Sequence, residues 1–267
     1  MITRLSALSF LFLQIFELIY ACNNPSIGIF VHGCNVNAKN WDYIVWGDEK
    51  RNLSGRITKA VEIINVLTSL KYNPIVSIMW GSGVDSFTNI KEGRFTLNTL
   101  LSNFERLQQH PLFHSLSQAR MIELKKIISE ISITDDYSCN TVTELESCFK
   151  VFKASDVKII ILISSSTHAP RCLKEASNLL EKYRKLSDDN SSWNPILCVC
   201  PSDTCYYGYN PRDVVIIEPP HLPKNFPESI DSPLILHKLV KRCLNIRDID
   251  KYSFLKRFNE ILADFNV

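Results

Sequence analysis

Short, unbroken apolar runs recur along this chain with amphipathic helical patterns between them, and few folds can accommodate that rhythm. Ile27-Gly-Ile-Phe-Val31 is the first run, followed by a loop from His32 to Trp41 and a second apolar run, Tyr43-Ile-Val-Trp46. From Ser54 to Lys71 the residues Ile57, Ala60, Val61, Ile64 and Leu67 recur at i, i+3, i+4 and i+7, the spacing of one helix face. Ile75 to Trp80 is the next run, so a β-α-β unit is complete within the first 80 residues. A strand that is apolar at every position has both faces buried, which a parallel sheet covered by helices on both sides provides. The expected fold is therefore α/β, a Rossmann-like three-layer arrangement with a mostly parallel sheet of about five strands. Those strands are Ile27–Val31, Ile75–Met79, Lys158–Ile163, Ile196–Val199 and Val214–Ile217.

Between the second and third of these lies a helical pattern from Thr96 to Ile131, broken near His110-Pro111, which predicts two inserted helices. Thr141-Val-Thr-Glu144 has the spacing of a capping box, and the helix behind it should bury Val142, Leu145, Phe149 and Phe152. A further helix follows Arg171 with Leu173, Ala176, Leu180 and Tyr183 at helical spacing. Residues 201 to 233 carry seven prolines and read as a long surface loop, and helical segments near Pro233–Asn245 and Ser253–Asp264 close the chain.

Residues 1 to 26 form a separate compositional unit. Arg4 precedes a nearly continuous apolar stretch from Leu5 to Phe16, which reads as a signal peptide or short anchor and predicts a secreted or membrane-associated protein. The stretch is short for a span of hydrocarbon about 30 Å thick. An N-terminal helix packed on the domain, in a cytoplasmic protein, is the alternative, favoured by Gln14 and Glu17. Residues 27 to 267 are read as a single domain, since 45% hydrophobic content is ample for one core. The balance of 30 Lys and Arg against 28 Asp and Glu gives no nucleic-acid footprint, so recognition of an anion must be local. Nine cysteines leave the compartment open. Cys198-x-Cys200-x4-Cys205 lacks the paired spacing of a zinc site and fits a strand plus loop with one disulfide, so no metal is expected.

The chemistry concentrates at Ser164-Ser165-Ser166-Thr167-His168-Ala169-Pro170-Arg171, a strand-to-helix turn. Pro170 suits a first helical position, and the free N–H groups there attract phosphate, sulfate or carboxylate. Ser166, Thr167, His168 and Arg171 would supply further donors, beyond what capping needs. Gly55-Arg56 opens the first amphipathic helix and puts Arg56 at the end where a cation is disfavoured unless an anion lies near. Taken alone, Arg56 reads as a surface arginine paired with Asp48 or Glu49. Gly81-Ser82-Gly83 makes a flexible turn after a strand, and Asp135, Ser138, Asn140 and Thr141 lead into another helix.

In order, Gly55-Arg56, Gly81-Ser82-Gly83, Asp135-x-x-Ser138-x-Asn140-Thr141 and Ser165-Ser166-Thr167-His168-x-x-Arg171 resemble the YdcF/SanA/ElyC-like family, a domain of unknown function. The resemblance covers roughly Ile27 to Ile217, and it implies a Rossmann-like domain whose motifs meet at the carboxyl edge of the sheet. It also implies envelope or membrane-linked biology, with S-adenosylmethionine as a cofactor by resemblance alone. Asp135 stands where the pattern leads one to expect glutamate, and the first strand ends in His32-Gly33-Cys34-Asn35 instead of a glycine-rich turn. There is no Gly-x-Gly-x-x-Gly after that strand, which argues against a nicotinamide enzyme.

Two classes of function follow. One is a hydrolase or transferase whose small anionic ligand (phosphate-, nucleotide- or lipid-pyrophosphate-like) is held by Arg56, Gly81, Ser82, Gly83, Ser138, Asn140, Thr141, Ser166, Thr167 and Arg171. His168 would be its general acid or base, with Asp135 orienting it or a water. The other is a non-catalytic binding or envelope factor on the same fold. A serine hydrolase with Ser82 as nucleophile is a third, remoter reading, since the Gly-x-Ser-x-Gly turn is absent.

Overall fold

The computed structural model describes residues 25–38, 40–70, 74–81, 83, 89–186 and 193–205. The apolar leader, Ser82, the expected strand Val214–Ile217, the proline-rich loop beyond Cys205 and the closing helices lie outside the described residues. Among the described residues, no helix is long and apolar enough to cross a membrane.

Five parallel strands form the sheet. In chain order they are β1 (Ile27–Val31), β4 (Ile75–Trp80), β5 (Ser132–Thr134), β6 (Ile159–Ser165) and β7 (Ile196–Ser202), arranged β5-β4-β1-β6-β7. A two-stranded antiparallel ribbon, β2 (Gly47–Asp48) with β3 (Leu53–Ser54), sits apart from it. The helices are α1 (Trp41–Trp46), α2 (Arg56–Thr68), α3 (Glu92–Ser102), α4 (Gln118–Ile131), α5 (Thr141–Ala154) and α6 (Ala169–Leu186). The run Tyr43–Trp46 is thus part of a short helix, and the break at His110-Pro111 holds two 3-10 turns.

Alternation along each strand explains the unbroken apolar runs. Ile27, Ile29 and Val31 of β1, with Ile159, Ile161 and Ile163 of β6, face a core closed by α1, α2 and α4. The intervening Phe30, Ile160 and Leu162 face a second core built with Leu145, Phe149 and Phe152 of α5 and Ala176 and Leu180 of α6. Successive side chains of a strand point to opposite faces, so both faces are dry only because helices cover both. The helix faces differ from expectation at two places. Val142 and Leu173 are each 38% exposed, because Glu144 and Cys172 take the inward positions in their first turns.

β5 has no apolar signal, with the burial of an edge strand, and pairs with β4 through three residues. The order matters for function. The chain lays down β1, moves outward to β4 and β5, then returns to the other side of β1 for β6 and β7. The loops leaving β1 and β6 therefore diverge from neighbouring strands, and in open α/β sheets ligands bind in the crevice opened at such a switch point.

Candidate functional site

The residues at that crevice are fixed by parity. His32 follows Phe30 in alternation and faces the α5 side, where its ring packs edge-on to Phe30 with centroids 4.6 Å apart. Ser164 points to the same side and Ser165 to the opposite one. Ser164 Oγ is 2.9 Å from His168 Nδ1, whereas Ser165 Oγ accepts from Arg56 Nε at 3.0 Å. Ser166 is exposed, and its N–H and hydroxyl both donate to the Thr204 carbonyl. The three serines thus divide among three tasks.

Arg56 is 1% exposed. Its guanidinium donates through Nη1 to the carbonyl of His32 at 3.0 Å and to that of Gly33, besides its bond to Ser165. It does not pair with Asp48 or Glu49 on the surface. It ties the loop after β1 to the end of β6, which is the floor of the crevice. Its place at the start of α2 suits that task, since the two loop carbonyls lie where they help to offset its charge.

Glu144 changes the expected picture most. The capping box of α5 is formed by Asn140 and Thr143, not by Thr141 and Glu144. Asn140 Oδ1 accepts from the N–H groups of Val142 and Thr143 at 3.0 Å each, and Thr143 Oγ1 accepts from the Asn140 N–H at 3.2 Å. Asn140 is therefore a cap, and Glu144 is released to turn inward. Its carboxylate accepts from the Gly33 N–H at 3.0 Å and lies 3.1 Å from His32 Nδ1, with 5% of the residue exposed.

Glu92, in the first turn of α3, does the same for the loop after β4, accepting from the Gly83 N–H at 2.9 Å. The glycines are needed because these carboxylates press on them. A Cβ on Gly33 would lie 2.7 Å from Glu92 Oε2 and 2.8 Å from Glu144 Oε1. On Gly81 it would lie 2.7 Å from Glu144 Oε1. The N–H groups that cradle phosphate in dinucleotide-binding folds here meet the protein's own carboxylates. Gly81, Gly83 and Arg56 therefore build the site from beneath.

His168 joins the starts of two helices. Its carbonyl accepts from the Cys172 N–H at 3.2 Å in the first turn of α6, and its Nε2 is 3.4 Å from the hydroxyl of Thr141, the first residue of α5. Its ring stands edge-on to that of His32, centroids 5.9 Å apart. Cys172 Sγ lies 3.4 Å from Nδ1 and 3.9 Å from Nε2 of the same ring. Asp135 does not orient His168, a part taken by Ser164 and Thr141. Instead its Oδ1 accepts from the N–H groups of Tyr137 and Ser138 at 3.0 and 3.2 Å, closing the turn before α5. Its Oδ2 is buried and has no hydrogen-bond partner among the described residues.

The electrostatics follow from burial and neighbours. Burial opposes a charge on His32, but Cys172 and the Glu144 carboxylate outweigh it and push its pKa up to about 9. His32 is accordingly an imidazolium at neutral pH. Nε2 of that ring is buried and has no hydrogen-bond partner among the described residues. Burial pulls the Arg171 guanidinium below its ordinary value, opposed by Glu175 and then by Cys172 and Glu144. The seven cysteines described are all free, so Cys198, Cys200 and Cys205 form no disulfide. No group of three His, Cys, Asp or Glu among the described residues is arranged to hold a metal.

His32, Glu144, Glu92 and Cys172 are the members that motif reading passed over. One signal was present. Glu144 stands four residues before Cys148 and eight before Phe152, and Glu92 four before Thr96 and eight before Leu100, so each carboxylate continues a buried stripe. A charge on the apolar face of a helix needs a partner in the interior.

Fold and site together define a Rossmann-like α/β protein with a charged, deeply buried polar cluster at its switch point. Comparison with models of known protein families, with curated proteins and with solved structures finds no match.

Proposed function

We propose that this protein binds a small anionic ligand of phosphate, nucleotide or lipid-pyrophosphate type in the crevice between the β1 and β6 loops. His168 then acts as general acid or base in hydrolysis or transfer. The observation that carries the reading is Arg171. It is a partly buried cation in the first turn of α6, at the switch point, where both burial and the helix dipole disfavour positive charge. Glu175 offsets part of those costs, and an anion bound there relieves the remainder. Thr167, half-buried in the same turn, and Thr141, at the start of α5, add hydroxyls beside it. The protonated His32 beneath adds to the positive potential. Because Glu144 and Glu92 fill the loops after β1 and β4, the ligand is directed to the α6 side. The resemblance to the YdcF/SanA/ElyC-like family agrees with this reading.

A thermal-shift screen against inorganic phosphate, nucleotides, sugar phosphates, prenyl pyrophosphates and S-adenosylmethionine tests it, since a ligand of the native state raises stability by RT ln(1 + [L]/Kd). A phosphorylated compound should raise the midpoint, and Arg171→Ala should weaken it at least about tenfold, the value of one charged contact. Equal binding by Arg171→Ala, or no response to any anion, overturns the reading. Turnover lost in His168→Ala with binding retained marks an enzyme, and binding without product marks the non-catalytic factor.

A further inference from the structure

The charge on His168 decides whether it can open a reaction as a base, and three features of the fold set that charge. The first is His32, whose ring stands edge-on to that of His168 with centroids 5.9 Å apart. The Glu144 carboxylate accepts from the Gly33 N–H at 3.0 Å and lies 3.1 Å from His32 Nδ1, and both side chains are buried. A carboxylate held in the interior needs a counter-charge, and His32 is the cation bonded to it. The pKa of His32, pushed up to about 9, agrees. The second feature is α6. His168 directly precedes it, and its carbonyl accepts from the Cys172 N–H at 3.2 Å, so the ring stands at the positive end of an 18-residue helix. The third is α5, 14 residues long, whose first residue Thr141 brings its hydroxyl within 3.4 Å of His168 Nε2. Each of the three disfavours a proton on His168, itself only 8% exposed. Arg171, in the same turn of α6, is a further cation, and Glu144 is the anion that works the other way. The hydroxyls of Ser164, 2.9 Å from Nδ1, and of Thr141 suit a neutral ring, which needs one donor and one acceptor.

We propose that the buried Glu144 and His32 pair is a fixed charge that keeps His168 neutral, so that His168 opens the reaction as a general base with His32 as its positioning residue. The inference rests on the reading of His168 as the acid–base group. The O–H bond of an attacking water or alcohol breaks, and its proton passes to the unprotonated nitrogen of the His168 ring. The freed electron pair bonds to the transferred group as the leaving group departs with its own pair. The imidazolium so formed is destabilised by the same three features and gives its proton to the leaving group. Two like charges 5.9 Å apart, at an effective dielectric of about 20, lower proton affinity about a hundredfold, and the Glu144 charge offsets part of that. About tenfold is therefore the effect expected of His32.

The test is a pH titration of the histidine ring nitrogens by NMR, on the full-length 15N-labelled protein without ligand, with His168 assigned by the signal that His168→Gln removes. The His168 midpoint should lie at least about one pH unit below the ordinary histidine value of about 6.5, while His32 keeps both ring protons at pH 7. A His168 midpoint at or above 6.5 overturns the proposal, and this arm needs no charge variant to fold. His32→Gln should raise the proton affinity of His168 about tenfold, and an unmoved midpoint overturns the role of His32. Glu144→Gln gives the decisive sign. Removing an anion that acts on His168 directly would lower its midpoint, whereas removing the anion that holds the proton on His32 should raise it. A fall in Glu144→Gln therefore overturns the pairing. Because no ligand is present, a protein that binds no anion yet shows these shifts fails the anion-site reading alone, and one that binds anions through Arg171 with a titrating His168 fails this one alone.

Discussion

Raising the pH should remove part of the stability of this protein through His32 alone. The groups facing its ring are Glu144 from α5, Cys172 from α6 and His168 from the turn before α6, while Arg56 of α2 holds its carbonyl. Burial opposes its charge, and Cys172 and Glu144 reverse that, so the folded state binds the proton up to about pH 9 against 6.5 in the unfolded chain. A group whose folded pKa is raised contributes fully below its unfolded pKa and loses that contribution as pH climbs through the folded one. At about 1.4 kcal/mol for each tenfold change in proton affinity, the rise is worth about 3 kcal/mol, present below pH 6.5 and lost toward pH 9. Urea unfolding followed by circular dichroism, at fixed ionic strength, measures it. With a slope of about 2 kcal/mol per molar, the midpoint should fall by about 1 to 1.5 M, and the slope itself should hold. His32→Gln should start lower and stay flat between pH 6.5 and 8.5. Above about pH 9 both proteins should weaken, because buried Cys34 and Cys200 resist ionisation while the unfolded chain does not. A wild-type profile flat from 6.5 to 8.5, or the same decline in His32→Gln, refutes the argument.

Arg56→Ala should cost about 2 to 4 kcal/mol in urea unfolding, because it strips donors from two loop carbonyls and the Ser165 hydroxyl in the interior. A loss below about 0.5 kcal/mol would return Arg56 to the surface. Asn140→Ala should cost about 1 kcal/mol, the value of an N-cap, with Thr141→Val sparing the cap entirely; the reverse order would restore the cap to Thr141. Gly81→Ala should cost about 1 to 3 kcal/mol by driving a methyl into the Glu144 carboxylate and Phe30, and a Glu144→Ala background should recover part of that loss in a double-mutant cycle.

The sheet was legible in the sequence because each central strand is apolar on both faces, a pattern that only two covering helical layers satisfy. Ile27–Val31, Ile75–Trp80, Ile159–Ser165 and Ile196–Ser202 appear where the runs stand. β5 was not, since a three-residue edge strand is defined by its pairing with β4 and carries no periodicity of its own. The turn at Ser164–Arg171 was equally legible as a strand end meeting a helix start.

What the residues around that turn do was decided by tertiary structure. Thr141 to Glu144 has capping spacing, but a cap is chosen by which backbone N–H groups are left free, and Asn140 and Thr143 meet them. That choice sent Glu144 inward, to His32 more than a hundred residues away, and a charge with so distant a partner leaves no local mark. Arg56 stands at a helix end that disfavours a cation, and only the fold shows that the carbonyls of His32 and Gly33 accept from its guanidinium there. Sequence sets which residues stand at strand ends and helix starts. Only the strand order, by placing β1 beside β6, decides that His32, Glu144, His168 and Cys172 share one buried cluster.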